Sequence, residues 1–562
     1  MMSLALAILP LALLIIVMTA TRPRRWLPLP AHIALPMVAA LAYAFQLFWF
    51  RGGSTPDEAH PELAPAGRWI HAAVIDGALS ALTPIGIVFG AVLLFKTMEA
   101  SGAMRILTER IRGLSPHPVA QLMLVGWSFS FLLEGLCGFG APAALAAPIL
   151  VGLGFPAVRV AAMCLIMNSV PVSFGAVGTP IWFGLGELGL SSEELLTVGT
   201  KAAFINAIAA LVIPILALRV VLPWHTIRTS LGFILLITLA TVLPYAFVAM
   251  YSSEFPSIIG GLSGTIVGAL LAYRRVGLST TAAPGAPQCL GPENPEHRFG
   301  TIRAASPLIA VVVLLALTRL EQFGFRPLLT ADRPTAEVEL GQAGIAWITP
   351  GLVVGFRDIL GTDIAWRMPL LFVPFLIPFV LVSMLAIPAL RIRREAVVSA
   401  WVDTFRRLTR PAVALVGALV LVKLMMLGGE TAPVMLIGRA MADAAGDSWL
   451  HLAPLLGALG SFFSGSNTVS NLTFAPIQGA IAESLDLELT SVLALQTVGG
   501  SLGNMICIHN IVAVAAVIGL RERSTASKES DGLYGGVASI LRLTIVPMLI
   551  YAAIAAGCAI LL

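Results

Sequence analysis

Apolar runs of about 20 residues, the length of helix that crosses a hydrocarbon core, recur along this chain from Leu4 to Leu562. Inside lipid every backbone N–H and C=O must be satisfied within the protein, and runs of this length meet that demand as helices. Only 11% of the residues are charged, less than half of the roughly 25% usual in soluble domains. The expected fold class is an all-α polytopic membrane protein with the lipid bilayer as its constant partner. Hydropathy predicts about twelve transmembrane helices, at roughly 3–20, 30–50, 72–98, 158–190, 200–222, 230–250, 256–273, 303–320, 368–390, 411–429, 490–520 and 535–562.

Two further apolar segments, about 118–153 and 449–481, are too long for one crossing and are broken midway by glycine or polar residues. They are predicted as re-entrant hairpins, each entering and leaving on one side. The charges fit that reading. Arg22/Arg24/Arg25, Arg105/Arg110/Arg112, Arg219/Arg228, Arg274/Arg275/Arg298/Arg303, an Arg391–Arg410 loop and Arg521/Arg523/Lys528 fall inside. Asp57/Glu58/Glu62, Glu187/Glu193/Glu194, Glu254, Glu430/Asp443/Asp447 and Glu483/Asp486/Glu488 fall outside. Counting a hairpin as a full crossing breaks the alternation. Totals of 13 or 14 crossings stay open, because one misplaced segment inverts everything downstream.

The first span lacks a preceding basic region and is followed by arginines, so it is expected to be retained with its N-terminus outside. The net charge of +4 reflects topology-setting arginines and implies neither an acidic partner nor nucleic acid. Five cysteines show no metal or redox spacing, and the four in apolar segments read as packing residues. No metal and no cofactor is expected. The stretch 275–302 reads as an inside linker. The outside loop 321–366 has room for a short interfacial helix around Trp347 to Phe356. Lys96 and Lys423 are expected to snorkel, and Asp76 to sit at the membrane interface.

The two halves of the chain resemble each other weakly, at an offset of about 327–328 residues. Lys96-Thr97-Met98 with Gly102 matches Lys423-Leu424-Met425 with Gly429; Ala147-Pro148-Ile149 matches Ala475-Pro476-Ile477; Val170, Ser173 and Gly175 match Val498, Ser501 and Gly503. An odd number of predicted crossings separates equivalent elements, which makes the repeat inverted. Its first copy would occupy 1–222 and its second 303–562, with linking spans and an inside loop at 223–302. Inverted repeats with discontinuous helices meeting at mid-membrane are a plan of secondary transporters.

The polar interruptions are the candidate site. Gly135 to Gly140 breaks the first hairpin and Ser464 to Thr468 the second, with Ser466 or Asn467 suited to cap the helix that follows. A helix N-terminus attracts a carboxylate. Phe174 to Pro180 is expected to split the fourth span and Gly499 to Asn504 the eleventh, with the amides Asn168 and Gln496 shortly before each break. Candidate substrate-binding residues are Gly138, Gly140, Asn168, Thr179, Ser466, Asn467, Thr468, Gln496, Ser501 and Asn504. The competing reading is that the glycines allow close helix packing and the Ser, Thr and Asn residues join neighbouring helices. An ionisable side chain within a span is costly and therefore a functional candidate. Glu134 could load and release a proton, and His509 is a second candidate for coupling. No phosphate loop, zinc-protease motif or nucleophile elbow is present. Ser464 or Ser466 as a nucleophile would need a paired base that the sequence does not place nearby.

At these residues the chain resembles the lactate permease family. Glu134-Gly135, Gly138-Phe139-Gly140-Ala141-Pro142 and Phe174 to Ile181 carry the resemblance in one block. Ser464-Gly465-Ser466-Asn467-Thr468, Ser470-Asn471 and Gly499 to Ile506 carry it in the other, which is also similar to the Ser-Asn-Thr tips of sodium-coupled dicarboxylate transporters. The resemblance implies symport of lactate or glycolate with a proton across the bacterial plasma membrane. The chain departs from the lactate-type pattern twice: Asn467 stands where those members have Asp, and Asn504 where they have Lys. The expected function is a secondary active importer of a small carboxylate, with H⁺ or alternatively Na⁺ as coupling ion, as a monomer or homo-oligomer. Rivals are a carrier of gluconate or a dicarboxylate, a membrane-embedded enzyme and a channel.

Overall fold

The computed structural model describes residues 2–19, 29–51, 66–138, 141–279, 300–319, 323–331, 333, 335–373, 376–518 and 532–561. Each of the twelve predicted spans holds helix. Among the described residues, seven helices have the length and apolarity to cross a membrane. Two more spans are bent pairs, Ala157–Asn168 with Val170–Leu188 at 43° and Ser192–Ala210 with Ile213–Val221 at 41°. The chain is an all-α polytopic membrane protein. Its helices group into two compact units, each drawn from two separate stretches of sequence.

One unit holds Met1–Ile106 and His297–Ala444. Its longest helix, Arg394–Met426, is 33 residues, about 50 Å at 1.5 Å per residue. That exceeds the ~30 Å core of a bilayer. The arginine block expected as a loop is therefore mostly the first half of this helix, which runs on through Pro411 to Met426. A Cβ on Gly77 would lie 2.7 Å from Val420 Cα, and one on Gly417 2.5 Å from Pro36 N. Small residues thus let backbones approach closely, as packing within lipid favours. Lys423 does not snorkel: its Nζ lies 2.7 Å from Asp76 Oδ2, and Asp76 is buried and also accepts from Ser80 Oγ at 3.2 Å.

The same unit carries a four-stranded antiparallel meander, β1 (Ala336–Glu339), β2 (Ile345–Ile348), β3 (Val353–Arg357) and β4 (Trp366–Pro369). The interfacial helix expected around Trp347 to Phe356 is not there. Thr349-Pro350-Gly351 turns the chain between two short runs rich in β-branched and aromatic residues, which is a hairpin pattern. The Trp347 ring covers Gly355 across the β2–β3 pair.

The second unit holds Leu107–Glu296 and Ala445–Leu562. Residues 118–137 form one helical rod, buried from Val119 onward and π-wound over Leu122–Phe129. The rod turns at Gly138 into the helix Ala141–Gly152. A second pair, Trp449–Ser464 and Asn467–Ser484, turns at Gly465. The helix Leu489–Asn504 runs unbroken through the glycines expected to split it, and the interruption comes afterwards, at 505–507. The physical reason is packing: Cβ atoms on Gly499 and Gly503 would lie 2.1 and 2.3 Å from the carbonyls of Pro454 and Ala458. These glycines fit one helix against the backbone of another.

At the start of the 489–504 helix, Lys201 Nζ donates to Glu488 Oε1 (2.6 Å), Thr490 Oγ1 (3.0 Å) and Ser491 Oγ (2.7 Å). Hydrogen bonding from Lys201, then from Thr490, pulls the Glu488 carboxyl down to about 2. The four cysteines of the apolar segments, Cys137, Cys164, Cys507 and Cys558, are buried, and none of them forms a disulfide.

Candidate functional site

Both hairpin turns are built alike. Each helix ends on a glycine with positive φ, 62° at Gly138 and 72° at Gly465, a conformation open to glycine at little cost. Each glycine N–H closes the last turn, Gly138 on Glu134 O at 3.0 Å and Gly465 on Ser461 O at 2.8 Å. Ser466 then caps the next helix, its Oγ accepting from Val469 N at 3.3 Å. Of the other first-turn donors, the N–H groups of Asn467 and Thr468 have no partner within their helix.

The break in the fourth span is sharper. Ala176, Val177 and Gly178 follow one another with φ of 46°, 54° and 71°. A β-branched residue such as Val177 is an outlier there, and strain of this kind clusters at functional sites. It is held in place by Trp182 Nε1 donating to Val177 O at 2.8 Å, and by Ser253 O, which occupies the space a Gly178 Cβ would need.

The first tip, this break and the second tip meet around one cavity of about 20 Å³, room for a single water. Its wall comprises Glu134 and Gly138, then Val172, Gly175, Ala176, Thr179 and Pro180, then Gly465 to Thr468, and finally Asn504. Glu134 is buried; Asn168 Nδ2 donates to its Oε2 at 3.0 Å, and its Oε1 fills the space beside Gly175. Thr179 and Thr468 share a hydrogen bond of 3.3 Å between hydroxyls. Asn504 Oδ1 accepts from Asn510 Nδ2, and Asn504 Nδ2 has no partner among the described residues. Asn467 gives both amide protons away, to Thr497 O at 2.8 Å and Ser501 Oγ at 3.0 Å, while its Oδ1 is buried and unpartnered.

Seven of the residues singled out from sequence thus line the cavity: Glu134, Gly138, Thr179, Ser466, Asn467, Thr468 and Asn504. Asn168 stands behind Glu134, and Ser501 behind Asn467. Gln496 is fully buried among Gln478, Ser470 and Asn471. Gly140 and the side chain of His509 lie outside the described residues. Sequence reading passed over Asn206, Tyr245, Tyr551 and Gln478, and gave Asn471 no role beyond the family resemblance. Asn471 Nδ2 donates to Pro180 O at 2.8 Å and Thr497 Oγ1 at 3.0 Å, tying the second hairpin to the break. The one signal for Asn206 is an amide inside an apolar span, a position where a polar group needs an explanation.

A helical multi-pass fold with two turned hairpins and a broken span meeting at buried polar groups is the plan of a membrane transporter. Residues 3–562 match the L-lactate permease family. The chain is 41% identical to a putative L-lactate permease of Haemophilus influenzae, over 99% of this chain and 98% of that protein. It is 26% identical to the glycolate permease GlcA of Escherichia coli, over 80% and 81%. Among solved structures it is similar to the Alcanivorax borkumensis YdaH transporter, at 16% identity and a TM-score of 0.47, over 94% and 98%. The chain belongs to the L-lactate permease family. It is a transporter rather than an enzyme, and the family implies a small carboxylate as substrate.

Proposed function

We propose that the protein imports a small 2-hydroxy monocarboxylate, lactate or glycolate, by proton symport across the bacterial plasma membrane. One observation carries this reading: a single buried cavity joins donors suited to an anion with a lone carboxyl group. The donors are the first-turn N–H groups of Asn467 and Thr468, which have no partner within their helix, at the positive end of an 18-residue helix, and the amide of Asn504. The carboxyl is Glu134. A substrate carboxylate beside an ionised Glu134 would meet like charge at low dielectric. A protonated Glu134 removes the repulsion and adds a donor. Proton loading and substrate binding then favour each other, which is the linkage symport needs.

The cavity holds a water but not a three-carbon acid, so binding requires it to widen. We read the two hairpins as re-entrant parts of the inverted repeat, with copies in 1–222 and 303–562. Ser173 and Ser501, equivalent in the two copies, hydrogen-bond to each other at 2.7 Å. Residues related by a two-fold axis can touch their own equivalents only near that axis, which supports this reading.

Uptake of labelled lactate into proteoliposomes tests the proposal, with pH and sodium gradients imposed separately. Accumulation under the pH gradient alone is expected. Accumulation under sodium alone would replace the coupling ion, and uptake of gluconate or a dicarboxylate instead would replace the substrate. Glu134→Gln should abolish gradient-driven accumulation yet retain lactate exchange; loss of both would make Glu134 structural.

A further inference from the structure

We infer that Asn168 and Gly175 are positioning residues which together place the transported proton on Oε1 of Glu134, the oxygen on the cavity side. The inference rests on the reading of Glu134 as the proton carrier. The two oxygens of its carboxyl group have different surroundings. Oε2 is taken: Asn168 Nδ2 donates to it at 3.0 Å, and both residues are 2% exposed. Oε1 has no hydrogen-bond partner among the described residues, yet it is not sealed in. It lies against Gly175, which with Glu134 forms part of the cavity wall.

That asymmetry decides where a proton goes. An ionised carboxylate only accepts, so Asn168 meets it with its NH₂. A proton added to Oε2 would face that NH₂, donor against donor, and the amide would have to turn over. A proton added to Oε1 leaves the bond intact, with Oε2 as the carbonyl oxygen that accepts it. The new O–H on Oε1 is then available to a substrate carboxylate in the cavity.

Gly175 keeps this oxygen in the wall. Its φ of −62° and ψ of 154° suit any residue, so glycine is not there for its backbone freedom. What it supplies is room, since a Cβ at this position would lie 2.5 Å from Glu134 Oε1. The frame around the pair is closely fitted. A Cβ on Gly135 would lie 2.7 Å from Ile258 N, and Ser257 Oγ donates to Pro171 O at 2.8 Å, just before Gly175. Among the described residues no salt bridge reaches Glu134, and the titratable group that interacts with its charge is the Cys137 thiol, one turn on.

Infrared difference spectra locate the proton, taken as Glu134 protonates in protein whose asparagines are isotope-labelled at the side-chain carbonyl. The carboxyl band is the one missing from Glu134→Gln, and the amide band the one missing from Asn168→Leu. The Asn168 carbonyl should show no downward shift on protonation, because it gains no partner. A downward shift would mean that it accepts from a proton on Oε2, and would overturn the inference. In transport, Gly175→Ala should raise the KM of lactate exchange about threefold to tenfold, the equilibrium factor of one neutral hydrogen bond, with the maximal rate near wild type. Adding Glu134→Asp, which draws the carboxyl back, should recover part of that loss. An unchanged KM in Gly175→Ala also overturns the inference, and this arm decides alone should Asn168→Leu fail to fold. Gradient-driven accumulation that survives in Glu134→Gln overturns the reading of Glu134 as carrier, and the inference with it.

Discussion

Two adjacent glycines separate stability from function. An alanine at Gly499 would set its Cβ 2.1 Å from Pro454 O, a backbone atom that cannot step aside. An alanine at Gly500 would meet Asn467 Oδ1 instead, the far end of a side chain. Gly499→Ala should therefore destabilise the protein by about 1–3 kcal/mol, the usual cost of overpacking, visible as a lowered Tm in detergent. Gly500→Ala should keep most of its Tm but lose lactate uptake, because Asn467 must leave Thr497 and Ser501. Equal Tm losses in the two variants would contradict this division. In the sequence both glycines read as a helix break, since glycine serves equally as breaker and as contact surface, and only the facing helix decides. Asn467 and Asn504 were legible because they sit in an interruption. Asn206 was not, because one amide in an apolar run looks the same whether it joins helices or positions a site.

Among the elements, hydropathy placed helix in each predicted span and breaks near Gly138 and Gly465, since burial in lipid leaves a strong and local signal. It missed the strands at 336–369, which lie in a polar loop, and the early start of the 394–426 helix, where charge was read as loop. Long-range ties between elements were also invisible. Lys201 and Glu488 join the 192–210 helix to the start of the 489–504 helix across 287 residues. The Glu488 carboxyl is held below its ordinary value of 4.5, down to about 2, chiefly by the hydrogen bond from Lys201. Its stabilising effect is thus complete above about 4.5 and is lost as pH falls towards 2. Thermal unfolding in detergent at pH 6 and pH 3 should show a smaller acid-induced drop in Glu488→Gln than in wild type. An equal drop would mean that the pair adds nothing.

At the scale of the whole molecule, residues 107–296 and 445–562 gather into one compact unit and the remainder into another. Which helices associate depends on which faces meet, and hydropathy carries no record of faces. The residues around the cavity all belong to one unit, so the chemistry proposed for transport is complete within it. The glycine fit between the 449–464 and 489–504 helices has a mechanical consequence for that chemistry. Backbones this close cannot slide past one another without collision, so the two helices must move as a single strut. Any widening of the cavity must then be absorbed at the flexible joints beside it, Gly465 and the 505–507 interruption. Spin labels at Leu452 and Leu489, one on each helix, should report one unchanged distance with and without lactate, and a shift between them would mean that the strut bends.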